Sequence, residues 1–137
     1  MNSKPITYLT WAARIVAAVI MLQTLYFKFT GAEESIYIFT TVGMEPWGRI
    51  GVGVMELIAS ILIIIPATSW IGAGIALGLM VGAMGMHLTI LGIEVMGDGG
   101  YLFLLALVVA LCSAFILWIN KEVVIGFLSK VVGKKSA

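Results

Sequence analysis

The chain has 137 residues, 61% of them apolar and 11% charged, with a formal net charge of +1. Globular domains carry about 45–50% apolar and about 25% charged residues, so a water-soluble fold would lack polar surface here. The near-zero charge leaves no basic face for nucleic acid, and the lone Cys112 excludes an intrachain disulfide.

Four apolar runs are long enough to cross a bilayer core of about 30 Å as helices: residues 8–29, 48–66, 70–91 and 101–119. Their length and lack of strict alternation exclude barrel strands. The expected fold is all-α, an antiparallel up-down transmembrane four-helix bundle. A membrane domain over residues 1–120 would be followed by a tail over 121–137.

The first run starts near Ile6 and continues past Leu25. It is too long for a signal h-region and is expected to remain as the first membrane helix. Its polar members are Arg14, Gln23 and Lys28. Arg14, Ala18, Met21, Leu25 and Lys28 share one stripe, and Gln23 lies on the opposite side, where it should bond to another neighbour. The connection "TGAEESIYIFTTVGMEPWG" is long, and its centre "SIYIFTTV" suits a short interfacial helix.

The second run, "GVGVMELIASILIIIP", holds one carboxylate, Glu56. At about 1.5 Å per residue, Glu56 lies roughly 15 Å from Pro66, near the midplane. A charge at that depth is costly and faces a partner or a wet cavity. Its helical neighbours Val52, Gly53, Ala59 and Ser60 are mostly small, which turns it toward other helices. By height, either Arg14 or Lys28 can reach it through a long stem; equally, a neutral Glu56 can bond to Ser, Gln or backbone. Arg14 and Lys28 also lie near enough to the interfaces to snorkel.

Only "ATS" separates the second run from the third, "WIGAGIALGLMVGAMGMHLTILG". Gly74, Gly78 and Gly82 repeat every four residues, a ridge suited to close helix approach and to a homo-oligomer. His87, the only histidine, sits on the opposite side with Ala73, Ala76, Met80 and Ala83. A lone histidine here is more often a satisfied hydrogen bonder than a ligand. With Glu45 and Glu94 it makes at most a weak external metal site, so no metal site is assigned. No phosphate loop, dinucleotide fingerprint, zinc spacing or Ser–His–Asp set occurs, and no catalytic residue is assigned.

The fourth run ends at Ile119, and "NKEVVIGFLSKVVGKKSA" follows with apolar residues at helical spacing among lysines. This reads as an interfacial amphipathic helix on anionic lipid. Lys4, Arg14, Lys121, Lys130, Lys134 and Lys135 fall on one side of the bilayer, whereas the other side is acidic. Both termini are therefore expected to be cytoplasmic, with belts of Tyr8, Trp11, Trp70 and Trp118 inside and Tyr26, Trp47 and Tyr101 outside.

Several of these features, in order, resemble the DoxX-like family of small four-helix membrane proteins: Arg14, "LYFKFTG" with Lys28, "FTTVGMEPWG", "GVGVMELIASILIIIP" with Glu56, and "GAMGMHLTILG" with His87. The resemblance spans Arg14 to Gly92, with the fourth helix matched by hydropathy alone. It implies a bacterial or archaeal cell-membrane protein with polar positions at Arg14, Lys28, Glu56 and His87. Founding members resemble small subunits of a membrane thiosulfate:quinone oxidoreductase, and others accompany detoxifying oxidoreductases. Eukaryotic relatives act as chaperones or cargo receptors. Two functions follow from the resemblance. One is an oxidoreductase-associated subunit in which Lys28, Glu56, His87 and Arg14 bind a quinone or another lipophilic ligand or exchange protons. The other is a noncatalytic scaffold, chaperone or stress-response protein. A transporter fits less well, since no inverted repeat or helix broken at mid-membrane is visible.

Overall fold

A computed structural model describes residues 3–136, with side chains described through Gly133. The described chain is helical throughout its ordered elements. Helix α1 covers Lys4–Thr30, α2 Glu33–Thr41, α3 Trp47–Ile64, α4 Ser69–Met86, α5 Tyr101–Ile119 and α6 Lys121–Ser136. A 3-10 turn, Pro66–Thr68, joins α3 to α4, and α4 runs on into one π-helical turn, His87–Leu91.

Local chemistry sets the helix ends. The Ser3 hydroxyl accepts from the Ile6 amide at 3.4 Å, and Pro5 stands in the first turn of α1, where its missing N–H costs nothing. At the other end Gly31 adopts φ 69°, a left-handed cap open to a residue without Cβ. Pro66 ends α3 because its ring drives Ile65 into extended backbone, φ −83° and ψ 117°. The Thr68 hydroxyl then donates 2.8 Å to the Leu62 carbonyl, which the helix end leaves open. Before α5, Asp98 accepts from the amides of Val95, Gly100 and Leu102 at 3.0, 2.8 and 3.2 Å. One carboxylate thus closes the loop and serves the first turn of the helix.

The four long helices form a ring in which α1 and α4 each pack on both α3 and α5. Alanines supply much of the buried centre: Ala13, Ala17, Ala18, Ala59, Ala73, Ala76, Ala106 and Ala110, with Met21, Ile63, Met80, Val109 and Ile116 filling between them. Small side chains let backbones approach, the source of packing energy when lipid is as apolar as the core. Backbones of α3 and α4 approach closely at Gly72, where a Cβ would lie 2.6 Å from the Ile63 nitrogen and 2.7 Å from the Ala59 oxygen.

Outside this centre the helices remain apolar. Ile15, Val19, Leu22, Ile58, Ile61, Val81 and Leu111 are all exposed mid-helix. Such a girdle far exceeds the patches a monomeric soluble protein shows, and four segments are long and apolar enough to span a bilayer. The expected all-α membrane bundle is the observed one. The short helix expected at residues 35–42 appears as α2, whose Phe39 and Ser35 are buried against the bundle end.

Candidate functional site

Glu56 is 2% exposed, and its neighbours are those the small residues of α3 admit. Phe29 lies against Gly53, where a Cβ would come within 2.6 Å of the ring. Lys28, one residue before Phe29, descends from the last turns of α1. Its Nζ lies 2.9 Å from Glu56 Oε1. The Thr24 hydroxyl, one turn along α1, lies 3.1 Å from Oε2 and from the Met21 carbonyl. Of the partners open on sequence grounds, the structure selects Lys28. The Lys28 contact is ionic but poorly aligned, so Oε1 makes no hydrogen bond of good geometry.

Arg14 is elsewhere. Its guanidinium stacks 4.8 Å from the Trp11 ring centre, and Nη2 reaches Ser69 Oγ at 3.4 Å, at the start of α4. The side chain is 8% exposed and Nε has no partner among the described residues. It lies at the end of the bundle carrying the chain termini and does not join Glu56. Gln23, expected to bond to another helix, is exposed and makes no hydrogen bond among the described residues. Arg14 and Gln23 face as they do because helix rotation, not height, decides which stripe meets a neighbour.

His87 opens the π turn and is buried. Its Nδ1 lies 2.9 Å from the Gly92 carbonyl, and its ring meets Phe103 edge-on at 5.6 Å. A carbonyl only accepts, so Nδ1 carries a proton and donates in this contact.

These groups border one cavity of about 710 Å³ at the α2 end of the bundle. Its lining includes Lys28, Thr24 and Glu56 from α1 and α3, His87, Met80, Ala83 and Leu105 from the α4 and α5 side of the chain, and Glu33, Glu34 and Asp98 from α2 and the α4–α5 loop. Gly78 and Gly82 belong to the lining and have nothing within 4 Å of a would-be Cβ. The glycine ridge therefore faces outward and borders the cavity, while the glycine that draws two helices together is Gly72, off the ridge. Sequence reasoning missed Thr24 and Gly72. Thr24 carried a usable signal, four residues before Lys28 and so on the same helix face.

Arg49 completes the electrostatics. Its guanidinium engages Glu45 at 2.9 Å from both Nε and Nη2, and Nη1 donates to the Lys28 carbonyl at the α1 terminus. A cation at a helix C-terminus matches the dipole there. This also commits Glu45, and no group of three metal-ligating residues occurs among the described residues.

A four-helix membrane bundle with a buried ion pair beside an apolar-walled chamber is the class these observations define. The family model described as DoxX matches residues 9–91, more than half of the chain and all of Arg14, Lys28, Glu56 and His87. The chain belongs to the DoxX family. No curated protein and no solved structure matches it.

Proposed function

We propose that the cavity holds a lipophilic ligand with a polar head, of the quinone class, and that the protein serves a membrane oxidoreductase as a small subunit or partner. The observation that carries this reading is the 710 Å³ cavity whose lining includes Lys28, Glu56 and His87. Pockets for ring-sized ligands run from about 300 to 1,000 Å³ with mostly apolar walls and few polar groups. Intramembrane ionisable groups are costly enough to mark functional sites by default. Lys28 can donate to a ligand oxygen, and Glu56 or His87 can exchange a proton with it. The electrons of any redox step come from the ligand or from the partner. The lysine-rich ends favour cytoplasmic termini, an orientation that sets the cavity toward the opposite leaflet.

The test is saturable binding of decylubiquinone to the full chain in phosphatidylcholine nanodiscs, before and after Glu56→Gln. Binding above that of empty discs, weakened by the substitution, is expected. Equal uptake by empty and loaded discs would remove the ligand-binding role.

A second reading is a noncatalytic scaffold acting through a homo-oligomer. It draws on the outward Gly74–Gly78–Gly82 ridge, where no would-be Cβ meets another atom of the described residues within 4 Å. Gly74 lies outside the cavity lining, so Gly74→Leu separates the readings: it dissociates an oligomer built on the ridge and leaves the cavity intact.

A further inference from the structure

Away from the cavity, the bundle end that carries the chain termini buries a cation with no counter-ion. Arg14 is 8% exposed, lies outside the cavity lining and forms no ion pair among the described residues. A guanidinium carries five N–H donors, yet this one makes a single long hydrogen bond, 3.4 Å from Nη2 to Ser69 Oγ. Nε is enclosed without a partner. The Trp11 ring at 4.8 Å attracts the charge but offers no oxygen to its donors.

The surroundings add positive charge instead of matching it. Ser69 is fully buried and opens α4, so the guanidinium stands against the positive end of that helix. No side chain caps this helix start and no acid stands in its first turn. Thr68, the residue placed to cap it, turns its hydroxyl to the Leu62 carbonyl of α3. Trp70, next to Ser69, packs on Phe127 of α6 with ring centres 5.4 Å apart. Lys130 follows Phe127 by three residues and shares its helix face. Neither Lys130 nor Lys4 nor Lys121 has an ion pair among the described residues, and Glu122 of α6 is exposed and pairs with none of them. At the opposite end Lys28 and Arg49 are each held by a glutamate.

A buried guanidinium beside an uncapped helix start lacks an anion, and the anion that a bilayer interface supplies is a lipid phosphate. We propose that Arg14 and the start of α4 form a binding site for the phosphate of an anionic phospholipid. The phosphate oxygens accept from the guanidinium, whose planar fork matches them, and Lys130 adds attraction from α6. Ile15 and Ile71, beside Arg14 and Ser69 in sequence or one residue from them, are exposed to the acyl chains. A choline head brings a cation of its own to a face already in positive excess, which sets the preference for net negative lipid.

Native mass spectrometry of the full chain, with dioleoylphosphatidylglycerol or dioleoylphosphatidylcholine titrated in, reads this site. The first phosphatidylglycerol should bind about 10-fold more tightly than phosphatidylcholine, and it should raise the thermal unfolding midpoint in detergent saturably. Arg14→Met should lose both the preference and the rise, although its midpoint without lipid is no lower than the parent's. Arg14→Lys keeps the charge and loses the fork, and so tests the site even where the methionine variant does not fold; its preference should fall to about 3-fold. The double variant Lys4→Gln/Lys121→Gln, at exposed positions, should keep most of the parent's preference. Equal binding of the two lipids, a preference that survives in both Arg14 variants, or one lost in the lysine double variant would overturn the site. A midpoint raised as much by sodium phosphate as by phosphatidylglycerol would mean a free-anion site and overturn the lipid assignment.

Discussion

Lys28 and Glu56, from different helices and with different expected depths, meet at 2.9 Å beneath the α2 end of the bundle. The lysine stem makes this possible: it carries the ammonium down from the terminus of α1 to the carboxylate. Arg49 bonds the Lys28 carbonyl, so the same residue is held at backbone and side chain by α3. The cavity is built beside this junction.

Thr24 supplies the second contact to Glu56, at 3.1 Å. Interhelical hydrogen bonds in membrane proteins contribute about 0.6 kcal/mol on average and about 1.7 at most. Thr24→Val should therefore lower the stability of the purified protein within that range, measured by thermal or denaturant unfolding in detergent. It should also weaken ligand binding less than Glu56→Gln does.

Gly72 and Gly74 should respond oppositely to alanine. A Cβ at Gly72 would sit 2.6 Å from backbone nitrogen of α3, where no side chain can swing away, whereas a Cβ at Gly74 meets nothing within 4 Å. Overpacking of this kind costs about 1–3 kcal/mol. Gly74→Ala should stay within about 0.5 kcal/mol of the parent. Equal tolerance at both positions, read by unfolding midpoints, would contradict the α3–α4 packing.

Asp98 makes the α4–α5 loop sensitive to acid. Burial alone pushes its carboxyl pKa up, but the amides of Val95, Gly100 and Leu102 outweigh this and, with His87 nearby, hold it below the ordinary value. A group with a depressed folded pKa stabilises above its unfolded pKa and loses that contribution as pH falls through the folded one. Loop protection should thus be complete above about pH 4 and fall below it. Amide exchange of Gly100 and Leu102 at descending pH reads this directly, and Asp98→Ala should show fast exchange already at neutral pH.

Arg14 offers the opposite expectation to Lys28. It is buried with one long hydrogen bond, a Trp11 ring and an orphaned Nε. Replacing imperfectly satisfied buried charge by an apolar chain of similar volume is often neutral or stabilising. Arg14→Met should leave the unfolding midpoint unchanged or raise it. A loss above about 2 kcal/mol would mean that Arg14 bears an interaction the fold depends on.

Much of the fold was legible because hydropathy and run length act directly on a chain in lipid: four spans, the short helix in the first connection and the tight Pro66 turn all follow from them. The identity of the buried polar groups was legible for the same reason, since Glu56 and His87 stand out against apolar neighbours. Who meets whom was not. A rise per residue fixes depth along one helix but not the rotation of two helices about their axes. That rotation decided between Lys28 and Arg14, brought in Thr24, left Gln23 unpartnered and chose Gly72 over the more regular ridge. The cavity was likewise invisible, because its lining is gathered from α1, α2, α3, α4 and α5 together.

The Lys28–Glu56 pair is the claim on which the site depends, and a double-mutant cycle measures it most directly. Lys28→Met, which strands a buried carboxylate, should cost about 3–5 kcal/mol in unfolding free energy, and the double variant Lys28→Met/Glu56→Gln should recover most of that loss. Single effects that simply add, within about 0.5 kcal/mol, would show that the two side chains do not interact and contradict the account.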